Sequence, residues 1–167
     1  MEKFDILDEN GNPTGETADK GAPLKDGQYY LGVHAYIYNF ANEFLLQRRA
    51  FDKDFRPGGW DIHMGHVIAG ETSRTGMHRE ILEEIGISVP IDDIRLVGRI
   101  FWGIYHHIID IYFVQIDYNL DQLLLQNDEV IGVRACSKAV MTSLAEKMDY
   151  RPETYRRIVL EEILKLN

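Results

Sequence analysis

Hydrophobic and polar residues along this chain fall into short runs of strand type, interrupted once by a run with helical spacing and closed by two more. Phe4–Leu7 is a short apolar run, residues 8–13 (DENGNP) are dense in turn formers, and Thr14–Ala18 returns, which predicts an N-terminal hairpin within about residues 3–20. Gly21–Gly27 reads as a loop. Tyr29–Asn39 alternates and is rich in β-formers, Glu43–Arg49 follows a turn as a second strand, and Ala50–Gly59 is a charged loop before a short strand at Trp60–His63. The period then changes. Met77, Ile81 and Ile85 stand at i, i+4 and i+8, so Ser73–Ile85 is a helix with one apolar stripe, ended by Gly86. Gly76 inside it costs about 1 kcal/mol against alanine, which points to close packing there. Arg95–Ile104, His107–Ile116 and Glu129–Ala135 are strands; Lys138–Lys147 and Pro152–Leu166 are helices. The pattern is that of an α/β (α+β) fold, mixed strands with helices on both faces of a sheet. With no internal repeat and no dividing linker, residues 1–167 read as a single domain.

Composition narrows the partners. The net charge of −9 argues against a nucleic acid or an anionic membrane as the main partner. Cys136 is the single cysteine, so no intrachain disulfide forms and nothing points to an oxidising compartment. The first residues lack the basic start and apolar core of a signal peptide, and no run approaches the roughly 18 apolar residues of a membrane span. The expected location is the cytoplasm.

Candidate chemistry concentrates in one stretch, residues 65–87. Its spacing is G-x5-E-x7-R-E-I-x-E-E-x-G-I, made by Gly65, Glu71, Arg79, Glu80, Ile81, Glu83, Glu84, Gly86 and Ile87. A helix puts Glu80, Glu83 and Glu84 on one face, within about 6 Å of one another. Three like charges there repel unless a cation neutralises them, and hard oxygen ligands select Mg2+ or Mn2+. The apolar stripe anchors the opposite face, so the carboxylates are expected at the surface or in a cleft. Gly65 and Gly70 bracket a loop in which the backbone can fold tightly or approach a ligand. Arg79 can pair with Glu71 or Glu83. The run REILEE alone fits a solvated acidic face; Glu71 and the two glycines at these distances turn the reading toward a site.

That spacing resembles the signature of the Nudix family, with a looser likeness from about Phe4 to Lys147. The resemblance implies an α/β/α sandwich with a mixed central sheet, and Mg2+-dependent attack of water on a diphosphate linked to another moiety. It implies Glu80, Glu83 and Glu84 as metal ligands, Glu80 also as general base, Arg79 orienting Glu80, Glu71 in support, and Gly65 offering a carbonyl to the metal. Glu129, before Val130, resembles the additional acid that many members place on a late strand; a strand-edge surface charge is the other reading. Residues 4–11, 33–39, 46–50 and 60–67 look like the branch related to isopentenyl diphosphate isomerase. Arg48, Arg49, Lys53 and Arg56 form a basic cluster that either meets substrate phosphates or is solvated loop charge. His66 is a further candidate for substrate contact. The implied partner is a small-molecule diphosphate, and family members are frequently homodimers.

Two other functions fit the same resemblance. The isomerase needs a cysteine where this chain has Met64, and its two strand glutamates fall near His106 and Ile108. His34 and His66 match its metal positions but read as core or cleft-lining. A non-catalytic nucleotide-binding or regulatory domain would be expected to lose acids of the motif, and all four are present. Trp102, Tyr105 and Tyr112 either stack on a base or belong to the core.

Overall fold

The computed structural model describes residues 2–166. The N-terminal segment forms the expected hairpin, β1 (Lys3–Leu7) against β2 (Pro13–Asp19), a two-stranded sheet of its own. Asp8 closes the turn: its Oδ1 accepts from the backbone N–H of Asn10 (2.8 Å) and Asn12 (2.9 Å).

The main sheet is built from β3 (Tyr30–Tyr38), β4 (Phe44–Arg49), β5 (Trp60–Asp61), β6 (His63–His66), β7 (Ile94–Trp102), β8 (His107–Gln115) and β9 (Val130–Cys136). Its order is β5-β4-β3-β8-β7, with β6 on β3 and β9 on β4. The β3–β8 pair is parallel and the others antiparallel, so the sheet is mixed. One detail of topology positions the site. β3 meets β4 only at its C-terminal end, Tyr38 opposite Phe44, while its N-terminal half takes β6, from Gly32–His66 to Ala35–His63. β4 and β6 therefore diverge from one strand and leave a wedge between them.

The short strand expected at Trp60–His63 is thus two strands. The carboxylate of Asp61 accepts from the N–H of Ile62 (2.8 Å), and across that corner the chain passes from pairing with β4 to pairing with β3. The second strand runs on to His66, so Gly65 lies in a strand rather than at the start of a loop. The strand expected to reach Ile104 stops at Trp102. Residues 103–105 make a 3-10 turn, and His106 turns the chain with φ 51°.

Helix α1 (Ser73–Ile85) has the expected bounds. Thr72 caps it, accepting from Thr75 N–H, and the Thr75 hydroxyl returns a bond from the Thr72 N–H. Gly86 closes it at φ 73° and donates to the Leu82 carbonyl. Gly76 packs against Val67: a Cβ there would stand 3.1 Å from a Val67 methyl. The chain ends in α2 (Lys138–Glu146) and α3 (Glu153–Lys165), with Pro152 capping α3 rather than opening its first turn.

The alternation in β3 serves two cores, because this central strand is covered on both faces. Val33, Ala35 and Ile37 pack with Met77, Ile81 and Ile85 of α1; Tyr36 and Tyr38 pack with Met141 of α2 and Tyr155, Val159 and Ile163 of α3. Full burial of an Ile or Met of α1 contributes about 2 kcal/mol. Ile81→Ala is expected to lower unfolding stability by about 3 kcal/mol in urea denaturation. Leu82→Ala, whose parent side chain is 44% exposed, is expected to cost less than about 1 kcal/mol. Equal losses at the two positions would contradict the packing of α1 through its Met77, Ile81 and Ile85 face.

Candidate active site

Helix α1 lies against the wedge, with Gly65 of β6 at the contact. A Cβ on Gly65 would sit 2.1 Å from the Glu80 carboxyl carbon, so only glycine lets the carboxylate rest on this strand. The Glu80 Oε1 accepts from the backbone N–H of His66 at 3.2 Å.

Arg79 organises the acids around it. Its Nε donates to Glu71 Oε1 (2.9 Å), and one terminal nitrogen donates to Glu71 Oε2 (3.1 Å) and to the His66 carbonyl (2.8 Å). The other donates to Glu80 Oε1 and Glu83 Oε2, both at 3.0 Å. That uses all five donors of a guanidinium. Glu71 Oε2 also accepts from Ile68 N–H at 3.0 Å, so the loop into α1 is tied to the same hub. The sequence left Glu71 and Glu83 as alternative partners for Arg79; the structure gives it both.

The three helix acids share a face but not an environment. The side chain of Glu83 is 49% exposed, that of Glu80 16% and that of Glu84 4%. Burial pushes the Glu80 carboxyl up to about 7, with Glu84 adding to the rise and Arg79 opposing it. Burial, reinforced by Glu129, pushes Glu84 up to about 8 against the pull of Arg49 and Lys53. Glu84 is therefore sunk into the protein, not at its surface. Its Oε2 lies 3.5 Å from His63 Nδ1, too far for an ordinary hydrogen bond, and is a buried oxygen without a bonded partner among the described residues. Gln47 lies near enough to favour the ionised form of Glu84, yet neither of its amide atoms closes a bond of ordinary geometry.

These groups open into a cavity of about 590 Å3. Gly65, Arg79, Glu80, Glu83 and Glu84 line it, with Glu129 from the residues before β9. Lys53 Nζ stands 2.6 Å from Glu129 Oε1. The basic cluster divides here. Arg49 and Lys53 line the cavity, whereas Arg48 donates to the Gly58 carbonyl beside Phe51, and Arg56 lies over Tyr150 with Asp61 at 3.6 Å; these two are not among the lining residues. Glu71 acts behind the cavity, through Arg79. His66 lines it, its Nε2 2.7 Å from His107 Nε2 and its ring stacked on Phe4 of the hairpin. Trp102 and Tyr105 also line it, edge to face, while Tyr112 is buried with α1 and donates to Ser73 (2.8 Å).

A hard divalent cation fits this donor set. Glu84 brings a buried carboxylate oxygen without a bonded partner; the other carboxyl oxygens of Glu80 and Glu83 are not held by Arg79; Glu129 faces them. Among the described residues, no three acid, imidazole or thiol groups already converge as a coordination sphere. Glu80 and Glu83 are turned to Arg79 instead. Sequence reasoning missed His63, Gln47, Asp61 and Arg151, all buried at or under this cavity. For Gln47, Asp61 and His63 the only signal was a polar residue at a strand position that a sheet covered on both sides must bury; Arg151, in the segment before α3, carried none.

The NUDIX domain model matches residues 28–163. An uncharacterised Nudix hydrolase of Listeria monocytogenes is 32% identical over 153 residues, 91% of this chain and 89% of that protein. An isopentenyl-diphosphate Delta-isomerase of Pectobacterium atrosepticum is 34% identical over 83 residues, which is 49% of this chain and 46% of the isomerase. The crystal structure of DR0079 from Deinococcus radiodurans matches with a TM-score of 0.72 over 99% of both chains at 17% identity, a likeness of fold.

The raised Glu84 carboxyl has a signed consequence for the metal-free protein. The folded state holds a proton that the unfolded chain has lost, so this stabilisation is full below about 4.5 and disappears as pH rises through about 8. Between pH 7 and 9 in EDTA, unfolding stability is expected to fall by about 1 kcal/mol more in the native protein than in Glu84→Gln. Parallel urea-midpoint curves for the two proteins would refute the buried, protonated Glu84.

Proposed function

The chain belongs to the Nudix family, and on that premise we propose that it is a hydrolase of a nucleoside di- or triphosphate, or a related diphosphate linked to another moiety, working with Mg2+ or Mn2+. One observation carries the reading: Arg79 ties Glu71, Glu80 and Glu83 to a strand that only glycine lets approach, with Glu84 buried beside them at the wall of a cavity.

Glu80, Glu83 and Glu84 would hold the cation, with the Gly65 carbonyl and Glu129 as further oxygens. When bound, it supplies charge that polarises the phosphoryl oxygens and acidifies water. Glu80 is the general base. Its carboxyl, held between the His66 N–H and Arg79, takes a proton from the attacking water. The water oxygen forms a bond to phosphorus, the bridging P–O bond breaks, and its electron pair leaves with the bridging oxygen. Arg79 fixes the orientation of Glu80, and Glu71 fixes Arg79. Arg49 and Lys53 offer charged donors to the phosphates from the loop side. A proton affinity of Glu80 near neutrality suits a base that must bind and release a proton in each cycle.

Isomerisation at carbon is disfavoured by the residues on the cavity wall. Met64 brings a thioether where that chemistry needs a thiol, and the β8 side chains that line the cavity are His107 and Ile109, neither a carboxylate. Ile108, one of the two positions suggested by the sequence, is not among the lining residues. Retention of all four motif acids weighs against a purely binding role. No helix of the described residues is long and apolar enough to cross a membrane. The cytoplasm is the proposed location, on the ground that a single cysteine gives no intrachain disulfide and so no sign of an oxidising compartment.

Glu83→Gln and Glu84→Gln are each expected to lower kcat by about three orders of magnitude, about 4 kcal/mol of barrier, with circular dichroism unchanged. Near-native turnover in either would remove the mechanism. In a screen of nucleoside triphosphates, nucleoside diphosphate sugars, ADP-ribose and isopentenyl diphosphate, hydrolysis is expected to require Mg2+ or Mn2+ and to stop in EDTA. An allylic product from isopentenyl diphosphate would overturn the assignment in favour of isomerisation.

A further inference from the structure

Beneath the cavity lies a buried polar chain that the hydrolytic chemistry leaves without a role. Asp61 Oδ1 accepts from an Arg151 terminal nitrogen at 2.9 Å, and both side chains have no exposure. The other terminal nitrogen of Arg151 stands 2.9 Å from His34 Nδ1, and the Tyr155 hydroxyl stands 2.9 Å from the same atom. Tyr36 continues the chain, 3.1 Å from the Tyr155 hydroxyl.

Donor and acceptor rules fix the state of His34. A guanidinium has no acceptor, so a proton on Nδ1 would point at another donor. Nδ1 is therefore bare, and the neutral ring carries its proton on Nε2. A charged imidazolium is excluded by the same contact, and burial with Arg151 alongside holds the His34 pKa well below its ordinary value. His34 lines the cavity, and among the described residues its hydrogen-bond contacts, to Arg151 and Tyr155, are both made at Nδ1 and none at Nε2. Its backbone is paired on both sides, opposite Met64 in β6 and Ile111 in β8, and the ring is buried with Nδ1 held by Arg151 and Tyr155, so it has little freedom to turn. The same logic argues against His34 as a metal ligand. One nitrogen already receives the Arg151 N–H, and freeing the other would move the proton into that contact.

We infer that His34 is a substrate-contacting, specificity-determining donor: Asp61 and Arg151 lock its Nε2–H toward the cavity, where it meets a neutral acceptor on the part of the substrate beyond the diphosphate. The inference rests on the diphosphate-hydrolase reading for the identity of the ligand. An uncharged N–H is a weak partner for phosphate, which Arg49 and Lys53 serve better. It suits a carbonyl oxygen, a hydroxyl oxygen or a ring nitrogen. The surroundings agree: Phe55 lies edge-on to Trp102 at 6.3 Å and 5.9 Å from the Arg151 guanidinium, so an aromatic wall stands near the donor. Arg151 and Asp61 are positioning residues, since they act only through His34.

The tautomer is read directly from long-range 1H–15N spectra of the whole chain labelled in its histidine rings, with His34 identified by its loss in His34→Gln. One bare and one protonated nitrogen, unchanged on adding Zn2+, is expected. Proton loss from Nε2 on adding Zn2+, or a proton on Nδ1, would overturn the inference. ADP-ribose and dGTP serve as substrates with Mg2+, and inorganic pyrophosphate as a competitor that lacks a second moiety. His34→Leu is expected to raise KM for the hydrolysed nucleotide about tenfold, with kcat within about twofold and pyrophosphate inhibition unchanged. His34→Gln, whose amide keeps an N–H near the same place, is expected to recover most of that loss. An unchanged KM in His34→Leu would refute the contact. Should the native protein hydrolyse neither nucleotide, the hydrolase reading for these substrates falls on its own; calorimetric binding of ADP-ribose, equal in the native protein and His34→Leu, would then refute the donor, and about tenfold weaker binding in the variant would uphold it.

Discussion

A single guanidinium with every N–H committed is the constraint around which this site is arranged. Arg79 joins the loop before α1, through Glu71, to the helix itself, through Glu80 and Glu83, and to β6, through the His66 carbonyl. Lysine would carry the same charge but lacks the planar fork that reaches three carboxylates and a carbonyl at once. One positive charge among Glu71, Glu80 and Glu83, with Glu84 close by, leaves the cluster negative. The hub fixes geometry without neutralising charge, and that imbalance is what a divalent cation would relieve.

The wedge in the sheet gives the hub something to work on. Because β3 exchanges β4 for β6 partway along its length, the cavity opens beside a strand rather than at the end of one. Acids reach it from α1 on one side, Arg49, Lys53 and Glu129 from β4, the following loop and the approach to β9 on another, and the N-terminal hairpin closes a third through Phe4 on His66. The hairpin is held in place by the very loop that carries Glu71: Ala69 N–H donates to the Lys3 carbonyl (2.8 Å) and Gly70 N–H to Asp5 (2.9 Å). Two sheets and one helix thus converge on residues 64–71.

What the sequence made legible was local. The bounds of α1 follow from its apolar period, the Thr72 cap and Gly86; its acids are legible because i, i+3, i+4 spacing implies a shared face whatever the rest of the chain does. Strands were legible as alternation, even though alternation in β3 divides two buried cores rather than core from solvent. Burial was not legible. Nothing in REILEE says that Glu84 is enclosed and Glu83 half in water, because that depends on where β4 and β6 diverge. Nor does the run of basic residues say that Arg49 faces the cavity while Arg48, its neighbour on the same strand, faces the other way; only the register against β5 and β9 decides it. Asp61 and Arg151 are 90 residues apart and meet through the packing of the segment before α3 under the sheet, a contact with no trace in local pattern.

The same division of labour explains how the chain tolerates its own site. Buried carboxylates near neutrality, an amide with both atoms unpaired and two histidines pushed down to about 3 by burial each cost stability in the metal-free fold. None of these groups belongs to either hydrophobic cluster. Met77, Ile81 and Ile85 anchor α1 from its opposite face, and α2 with α3 cover the other side of the sheet. This face is therefore held by elements whose stability is supplied elsewhere, and it need not relax to save the fold. A scaffold stabilised by the acids themselves would pair and quench them. Here, among the described residues, the only cationic side chain in ion-pair contact with Glu80 and Glu83 is Arg79, which orients both and leaves one oxygen of each carboxylate unbound by its guanidinium.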